Sequence, residues 1–477
     1  MTILIESLDQ VDLPEVFRLL GPLPHRLWLD SAADRDCDRG RYSFLTADPV
    51  AWMRINVDQP DPWPMLRSAC QSMAAIAREH WNPRDELPPF VGGLAGLIAY
   101  EAAWWIEPTL RQPSSDAVGI AFGLYDWTIA LDHQRAQAWL ISTGLDSQFH
   151  MDAGRARRRL TQVKKLLDKA PLSSERSRAP LQPNRMLAAD DASTKPDSNF
   201  SEAAFQNAVQ SVVDSIHAGQ CFQVNLAQTL TTTTERTPDE LYHALRQANP
   251  APAAGFFDLG DRQVLSSSPE GFIRVRDRNV WTSPIKGTVA RTGNDEIDQS
   301  LATQLLTSEK DRAENIMIVD LMRNDLSRVC DDETIDVPRI CQIERYQSVQ
   351  HLVSTVQGRL RVDMTIADLL AASFPGGSIT GAPKVEAMRM IRQLEECDRG
   401  AYCGSLGYIS LSGDADFNIL IRTMTLQSNR LTLPVGGGIT ARSVPEHELA
   451  ETWTKARSML DAIDRTRPEP NAAFPKT

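Results

Sequence analysis

Up to about Ser142 the chain is a succession of short apolar runs, RLWLDS, YSFLTA, AWMRINV, GGLAGLIAY, GIAFGLYDWTIALD and AQAWLIS, each broken by Pro, Gly or Asp. Alternation with a period of two sends one face of each run inward and the other outward, which predicts strands. The basic stretch MDAGRARRRLTQVKKLLDKA has helical spacing and reads as a solvated helix closing this region. From about Ala170 to Asn199, Pro, Ser, Asp and Arg replace any periodic pattern. Residues 170–199 are therefore expected to be a linker or surface loop between an N-terminal region, 1–169, and a second region, 200–464, followed by a tail, 465–477. Beyond it, SEAAFQNAVQSVVDSIHAGQ is a helical pattern ending at Gly219, and CFQVNLAQTLTTT alternates like a strand. Strand-like stretches recur at GFFDLG, RQVLSSSPEGFIRVRD, NVWTSPIKGTVAR, YCGSLGYISL, FNILIRTMTLQSN and RLTLPVGGG. Long helical patterns appear at TSEKDRAENIMIVDLMRNDLSRV, TIADLLAAS, APKVEAMRMIRQLEE and EHELAETWTKARSMLDAIDRT. Strands paired through short turns and punctuated by helices predict an α+β fold, with helices packed over large antiparallel sheets.

Composition narrows the function. With 42% hydrophobic and 23% charged residues the chain can fill a large core. Fifty basic against 62 acidic side chains leave a net charge of −12, which argues against nucleic acid as a partner. There is no apolar run of about 18 residues, and MTILIESLDQVDLPEVF lacks the basic flank and apolar core of a signal peptide, so no membrane association and a cytoplasmic location are expected. Seven cysteines without a CxxC pair fit reduced thiols and no structural zinc.

Several constellations carry chemistry. Glu448, Glu451 and Lys455 share a helix face at i, i+3 and i+7, an arrangement that is equally a solvated charge stripe. A second helical pattern carries Glu309, Asp311, Glu314, Asp320 and Asp325. Two such helices have the chemistry to hold one Mg²⁺, which takes a few carboxylates plus water and substrate oxygens; the spacing permits this without requiring it. In FPGGSITGAPKVEAM, Gly376, Gly377 and Gly381 surround Ser378 and Thr380 ahead of a helix start at Pro383. Free backbone donors and the positive helix end suit a small anion there, although a plain turn before a helix has the same signature. LPVGGGIT, with Gly436, Gly437 and Gly438, is a second place where backbone can approach a ligand closely. Lys286 lies inside the strand-like WTSPIKGTVAR. A lysine partly buried there loses charge by desolvation and becomes nucleophilic; one reaching solvent from an edge strand does not. His351 and Arg422 also sit within apolar strand patterns, as structural residues or as ligands.

The motifs SSSPEGF, SPIKGTVAR, KDRAENIMIVDLMRNDLSRV, YQSVQHLVSTV, FPGGSITGAPKVEAM, YCGSLGYISLSG, ILIRT and GGGITARSVPEHELAETWTKA occur in the order seen in the chorismate-utilising enzymes. The chain is identified from them as a member of that family, which includes anthranilate, aminodeoxychorismate, isochorismate and salicylate synthases. The match spans about residues 200–464, and LWLDSA, RYSFLTADP, GGLAGLIAYE and GLYDWTIALDH resemble the N-terminal region of the two amino-transferring members. The resemblance implies a sandwich of two large antiparallel sheets covered by helices, with the active site between the sheets. It implies Mg²⁺ held by Glu314, Glu448 and Glu451, neutralising the ring carboxylate of chorismate and helping the C4 oxygen depart. It places Arg422, Tyr402 and the backbone of Gly436, Gly437 and Gly438 on the enolpyruvyl carboxylate, and Ser378, Thr380 and Lys455 near the ring carboxylate and metal. His351 matches the histidine beside the departing oxygen, and Glu270 the general acid.

Two positions choose among the branches. Water-adding members carry a lysine where this chain has Gln223, and anthranilate synthases usually read PIAGT where this chain reads Pro284, Ile285, Lys286, Gly287, Thr288. Lys286 resembles the nucleophile of the aminodeoxychorismate branch. The expected activity is conversion of chorismate and ammonia to 4-amino-4-deoxychorismate for 4-aminobenzoate and folate synthesis, through a Lys286 adduct. Anthranilate formation and a non-catalytic chorismate-binding paralogue are the alternatives. No segment resembles the nucleophile elbow of a glutaminase and none a pyridoxal-phosphate lyase, so ammonia is expected from a separate glutamine amidotransferase subunit. Arg442 and Gln350 depart from an acidic residue and a histidine common in relatives. Ser31, Arg41 and Tyr42 fit the family's tryptophan pocket, whereas Ala253 and Ala254 stand where larger residues are usual.

Overall fold

The computed structural model describes residues 3–9, 11–32, 40–80, 87–111, 117–168, 196–346 and 349–465. Two antiparallel sheets form its frame. The larger has twelve strands and runs from Leu4–Leu8 through Gln137–Ser142, Trp127–Asp132, Tyr42–Thr46, Leu27–Asp30, Ala254–Asp258, Gln263–Ser266, Thr423–Gln427 and Arg430–Ile439 to Gln223–Thr233. The free edge of Gln223–Thr233 carries two short strands, Gly381–Ala382 at one end and Asp197–Ser198 at the other. The second sheet has ten strands and includes Ile285–Ala290, Val349–Arg359, Gly271–Arg276, Ala415–Asn418, Ser405–Ser410 and Gly93–Ile98. Strands from both sides of the segment expected to be a linker share both sheets: Asp30 pairs with Ala254, and Ile98 with Ser405. Most of that segment lies outside the described residues; its last part forms the strand Asp197–Ser198.

Side chains alternating inward from both sheets fill the space between them, among them Phe44, Leu97, Phe122, Phe272, Leu406 and Phe417. Burying side chains of this size contributes on the order of 1.5–3 kcal/mol each. The outer face of the larger sheet is covered by the helices Pro238–Ala248 and Pro445–Arg465, through Leu241, Leu245, Ala456 and Met459 against Leu431 and Leu433. Helix Glu202–His217 covers the far end through Phe205, Val209 and Val212. Its boundaries follow local chemistry: the Ser201 hydroxyl accepts from Ala204 N, and Gly219 adopts φ +77 just past the end. Helix Glu309–Ser327 is capped by Ser308 and buries Asn315, Ile318, Val319, Met322 and Leu326 at helical spacing. Among the described residues no helix is long and apolar enough to cross a membrane, and all six cysteines are free thiols.

Two stretches that read as single strands are each divided between the sheets. RQVLSSSPEGFIRVRD becomes Gln263–Ser266 in the larger sheet and Gly271–Arg276 in the smaller. FNILIRTMTLQSN becomes Ala415–Asn418 in the smaller and Thr423–Gln427 in the larger. The two crossings run side by side, tied by Ile419 N to Glu270 O (3.0 Å), Ser267 N to Arg422 O (3.1 Å) and Ser268 Oγ to Ile419 O (2.5 Å). This pair of crossings spans the gap between the sheets and sets the place of the site.

Candidate active site

Glu270 and Arg422 both lie on those crossings. Glu270 is buried. Arg422 stands just outside its strand, a correction to its sequence placement within one, with φ +50 turning the chain as it changes sheet. Desolvation disfavours its guanidinium, and its hydrogen bond goes to the neutral Asn249 Oδ1 (3.2 Å). A desolvated cation without an acidic partner is a site prepared for an anion.

Lys286 reaches the same region from the smaller sheet. Its strand pairs with Val349–Arg359, but the register slips between Lys286 and Thr288, where Gly287 takes φ +72. This bulge re-aims the side chains on either side of it. The half-buried Lys286 donates from Nζ to Ser378 O (3.3 Å). Desolvation holds its ammonium below the usual lysine range, with Lys455 acting the same way and Glu314 and Glu270 opposing. His351, on the neighbouring strand, is buried, and its Nδ1 meets Thr288 Oγ1 at 2.9 Å. Gln350 has a structural partner, donating to Asp298 O (2.8 Å) on helix Asp295–Thr307.

The turn Gly377–Ile379 meets Lys286 through Ser378 O. Thr380 donates to Gly376 O (3.0 Å), whereas the buried Ser378 Oγ has no partner. Tyr402 is buried with its ring 5.8 Å from the Arg399 guanidinium, and burial pushes its phenol far up. Gly436–Gly438 form a wall that approaches its neighbours as only glycine can. A Cβ on Gly436 would lie 2.3 Å from Leu226 O, and one on Gly438 would lie 2.6 Å from Gln223 Nε2. Gly437 instead faces the start of helix Pro445–Arg465: a Cβ there would meet Lys455 Nζ at 3.3 Å, Glu451 Oε1 at 3.5 Å and Glu448 Oε2 at 3.6 Å. Lys455 bridges Glu451 Oε1 (2.7 Å) and Gly436 O (2.9 Å).

The carboxylates predicted to hold Mg²⁺ converge on this place from two helices. Glu314 and Glu448 are both held above the usual carboxylate range, first by burial and then, in part, by like charge, since Glu448 repels Glu314 and Glu451 repels Glu448. Glu451 is held below that range despite burial, chiefly by Lys455. Among the described residues no three acids are drawn into a preformed cage. Yet Glu314 Oε1 is buried without a partner, and the pair on the C-terminal helix meets over a side-chain-free glycine. Mutually repelling carboxylates with spare oxygens, leaving room for water and substrate, fit the needs of Mg²⁺.

Three residues outside the predicted site set belong here, one of which, Gln223, the sequence marks only as a position that tells the branches apart. Both polar atoms of Gln223 and Nδ2 of Asn225 are buried without partners. Alternation along Gln223–Thr233 puts them on one face, which was the available signal. Lys310, exposed at the start of the acidic helix, bears electrostatically on Glu314, Glu448 and Glu451. Of the residues assigned to a tryptophan pocket, one lies on a cavity wall. Tyr42 lines an inter-sheet cavity of ≈ 100 Å³ with Phe44, Ala253, Ala254 and Tyr408, but Ser31 and Arg41 are not on its wall. Arg41 pairs with Asp132 (2.7 Å) and lies over the Tyr42 ring (4.9 Å).

The crossings between two antiparallel sheets, with a guanidinium that lacks an acidic partner, a desolvated lysine and buried carboxylates from two helices, suit a small polycarboxylate. The chain belongs to the chorismate-binding enzymes, whose family model matches residues 24–461. It is 38% identical to aminodeoxychorismate synthase component 1 of Escherichia coli over 94% of this chain and 95% of that protein. It is 37% identical to anthranilate synthase component 1 of Pseudomonas aeruginosa over 96% of this chain and 94% of that protein. The crystal structure of anthranilate synthase component I from Streptococcus pneumoniae superposes with a TM-score of 0.73 at 30% identity, covering 88% of this chain and 92% of that one.

Proposed function

We propose that the protein aminates chorismate at C4 in the cytoplasm, forming 4-amino-4-deoxychorismate with Lys286 as nucleophile. The observation that carries this reading is Lys286 itself, an amine half-buried in the site whose charged form is disfavoured by desolvation. Arg422 and Tyr402, with the Gly436–Gly438 backbone, hold the enolpyruvyl carboxylate; Ser378, Thr380 and Lys455 lie toward the ring carboxylate. Mg²⁺ bound by Glu314, Glu448 and Glu451 would neutralise that ring carboxylate. Neutral Nζ adds to C2 as both ring double bonds shift by one position and the C4–O bond breaks. Glu270 gives its proton to the departing oxygen, beside His351, and water leaves. The alkylated amine carries the positive charge. Ammonia then adds at C4, both double bonds shift back and the C2–N bond breaks, so Lys286 leaves as a free amine and the charge passes to the new ammonium. Two allylic displacements keep the stereochemistry at C4, which one direct attack would invert.

Ammonia is supplied by a separate glutamine amidotransferase subunit, a reading supported by the words "component 1" in the relatives' names. Anthranilate formation is the second reading, favoured by the 37% identity to an anthranilate synthase component 1. The test is incubation with chorismate, Mg²⁺ and an ammonium salt, with products identified by mass. Aminodeoxychorismate is expected, together with a Lys286 adduct when ammonia is withheld. Lys286→Ala loses most of the product, and Lys286→Arg does not restore it, because a guanidinium stays charged. Pyruvate release would establish anthranilate formation instead, and a fully active Lys286→Ala making the same product would overturn covalent catalysis.

A further inference from the structure

Strand Gln223–Thr233 has a gap on its free edge. Gly381–Ala382 pairs with it at Gln223 and Val224, and Asp197–Ser198 at Leu230 and Thr231. Between them an ion pair takes the place of a strand. Arg399 Nη2 donates to Asn225 O (2.6 Å), and Glu395 Oε1 accepts from Ala227 N (2.8 Å). The two side chains are 2% and 3% exposed and doubly bonded to each other, Nη2 to Oε1 at 2.6 Å and Nε to Oε2 at 2.8 Å.

The same guanidinium reaches the site in two further ways. Nη1 donates to Ile379 O (3.1 Å), and the Tyr402 ring lies 5.8 Å away, with Tyr100 at 4.7 Å. Three successive carbonyls of one turn are thereby engaged by three elements: Ser378 O by Lys286, Ile379 O by Arg399, and Thr380 O by Asn225 N. Behind the pair, the buried Glu101 accepts from Arg399 N (2.7 Å) and Gly400 N (3.0 Å), fixing the backbone that leads into Tyr402. A buried ion pair is weak evidence for stability, since well-packed apolar residues often replace one without loss. Its contacts here are directional and end on the residues proposed to hold substrate.

We propose that the Arg399–Glu395 pair is a positioning device for the chorismate site, acting through Tyr402 and the Gly377–Ile379 turn. It rests on the functional reading above, in which those residues bind chorismate. Arg399→Lys keeps the charge but cannot serve Asn225 O and Ile379 O together. It is expected to lower kcat/KM for chorismate at least ~10-fold while leaving the KM for ammonia unchanged. In a Tyr402→Ala background the same change is expected to cost less than about threefold more, because the device then has less to position. The double variant Arg399→Met/Glu395→Met leaves Asn225 O, Ala227 N and Ile379 O without these partners, so it is expected to melt lower than wild type and, at temperatures where it is folded, to lose activity. Equal losses in both backgrounds, or full kcat/KM in the Met/Met variant, would overturn the proposal. Wild-type protein that leaves chorismate unconsumed would defeat the functional reading instead; the same cycle read in chorismate Kd by calorimetry then tests the device alone.

Discussion

Gly437 offers the sharpest separation of site from scaffold. Its backbone needs no left-handed conformation, and an added methyl would stand 3.3 Å from Lys455 Nζ, 3.5 Å from Glu451 Oε1 and 3.6 Å from Glu448 Oε2. All three are ends of flexible side chains at van der Waals distance or slightly inside it, so Gly437→Ala is accommodated by small shifts. Reduced entropy of the unfolded chain favours Ala by about 0.4–1 kcal/mol, which offsets the crowding. The methyl nevertheless fills the space in which metal and substrate are proposed to lie, and displacement of a reacting group by about 1 Å can cost on the order of 10²-fold. Gly436→Ala is the control, because its Cβ would lie 2.3 Å from Leu226 O and 2.7 Å from Ala227 Cα, both fixed backbone of the neighbouring strand. Melting curves and chorismate consumption are measured on both. Gly437→Ala is expected to melt within a few degrees of wild type with ~10²-fold lower kcat/KM, and Gly436→Ala to melt far lower. Normal turnover by Gly437→Ala would refute the placement of ligand against this glycine, and melting as low as Gly436→Ala would refute the open space.

Two further outcomes follow from the charges. Glu314→Ala and Glu448→Ala are expected to abolish the proposed Mg²⁺-dependent turnover, read as chorismate consumption. Their folded carboxyls sit above the unfolded value, so the native state keeps protons that the unfolded chain has released, and stability drains away as pH rises through the raised values. Each truncation should therefore raise the melting temperature in metal-free buffer at neutral pH but not at acid pH, and an unchanged pH profile would contradict this. Arg422→Gln removes the unpaired cation proposed to bind carboxylate. A lost charged hydrogen bond of about 1.5–3 kcal/mol predicts a rise of roughly 10- to 150-fold in chorismate Kd by calorimetry, without loss of fold, and unchanged affinity would displace the carboxylate from this residue.

Much of this molecule is legible in one dimension because some decisions are local. Ser201, Ser308 and Gly219 stop or start helices through hydrogen bonds and backbone freedom within a few residues, so helices Glu202–His217 and Glu309–Ser327 fall where the pattern predicts them. Period-two alternation likewise marks Gln223–Thr233 and Val349–Arg359 as strands. Helices Trp63–His80, Pro238–Ala248 and Asp295–Thr307 escape that reading, the first two lying between stronger strand signals and the third between a strand signal and a stronger helical one. The motif order also carries the candidate residues, because the chemistry of chorismate restricts which side chains serve at each position.

Partnership across the fold is decided only in three dimensions. Alternation says that SSSPEGFIRVRD and FNILIRTMT contain strands, but which sheet each half joins depends on partners far away in the chain, and that choice carries Glu270 and Arg422 across the gap. The slip at Gly287 that aims Lys286, and the buried pairing of Arg399 and Glu395 against the edge of Gln223–Thr233, likewise exist only once two strands or a helix and a strand have met. Local propensity acts over a few residues and is written in the order of side chains. Desolvation, which disfavours the charged forms of Lys286 and Arg422, depends on everything packed around them, and no stretch of the chain contains it alone.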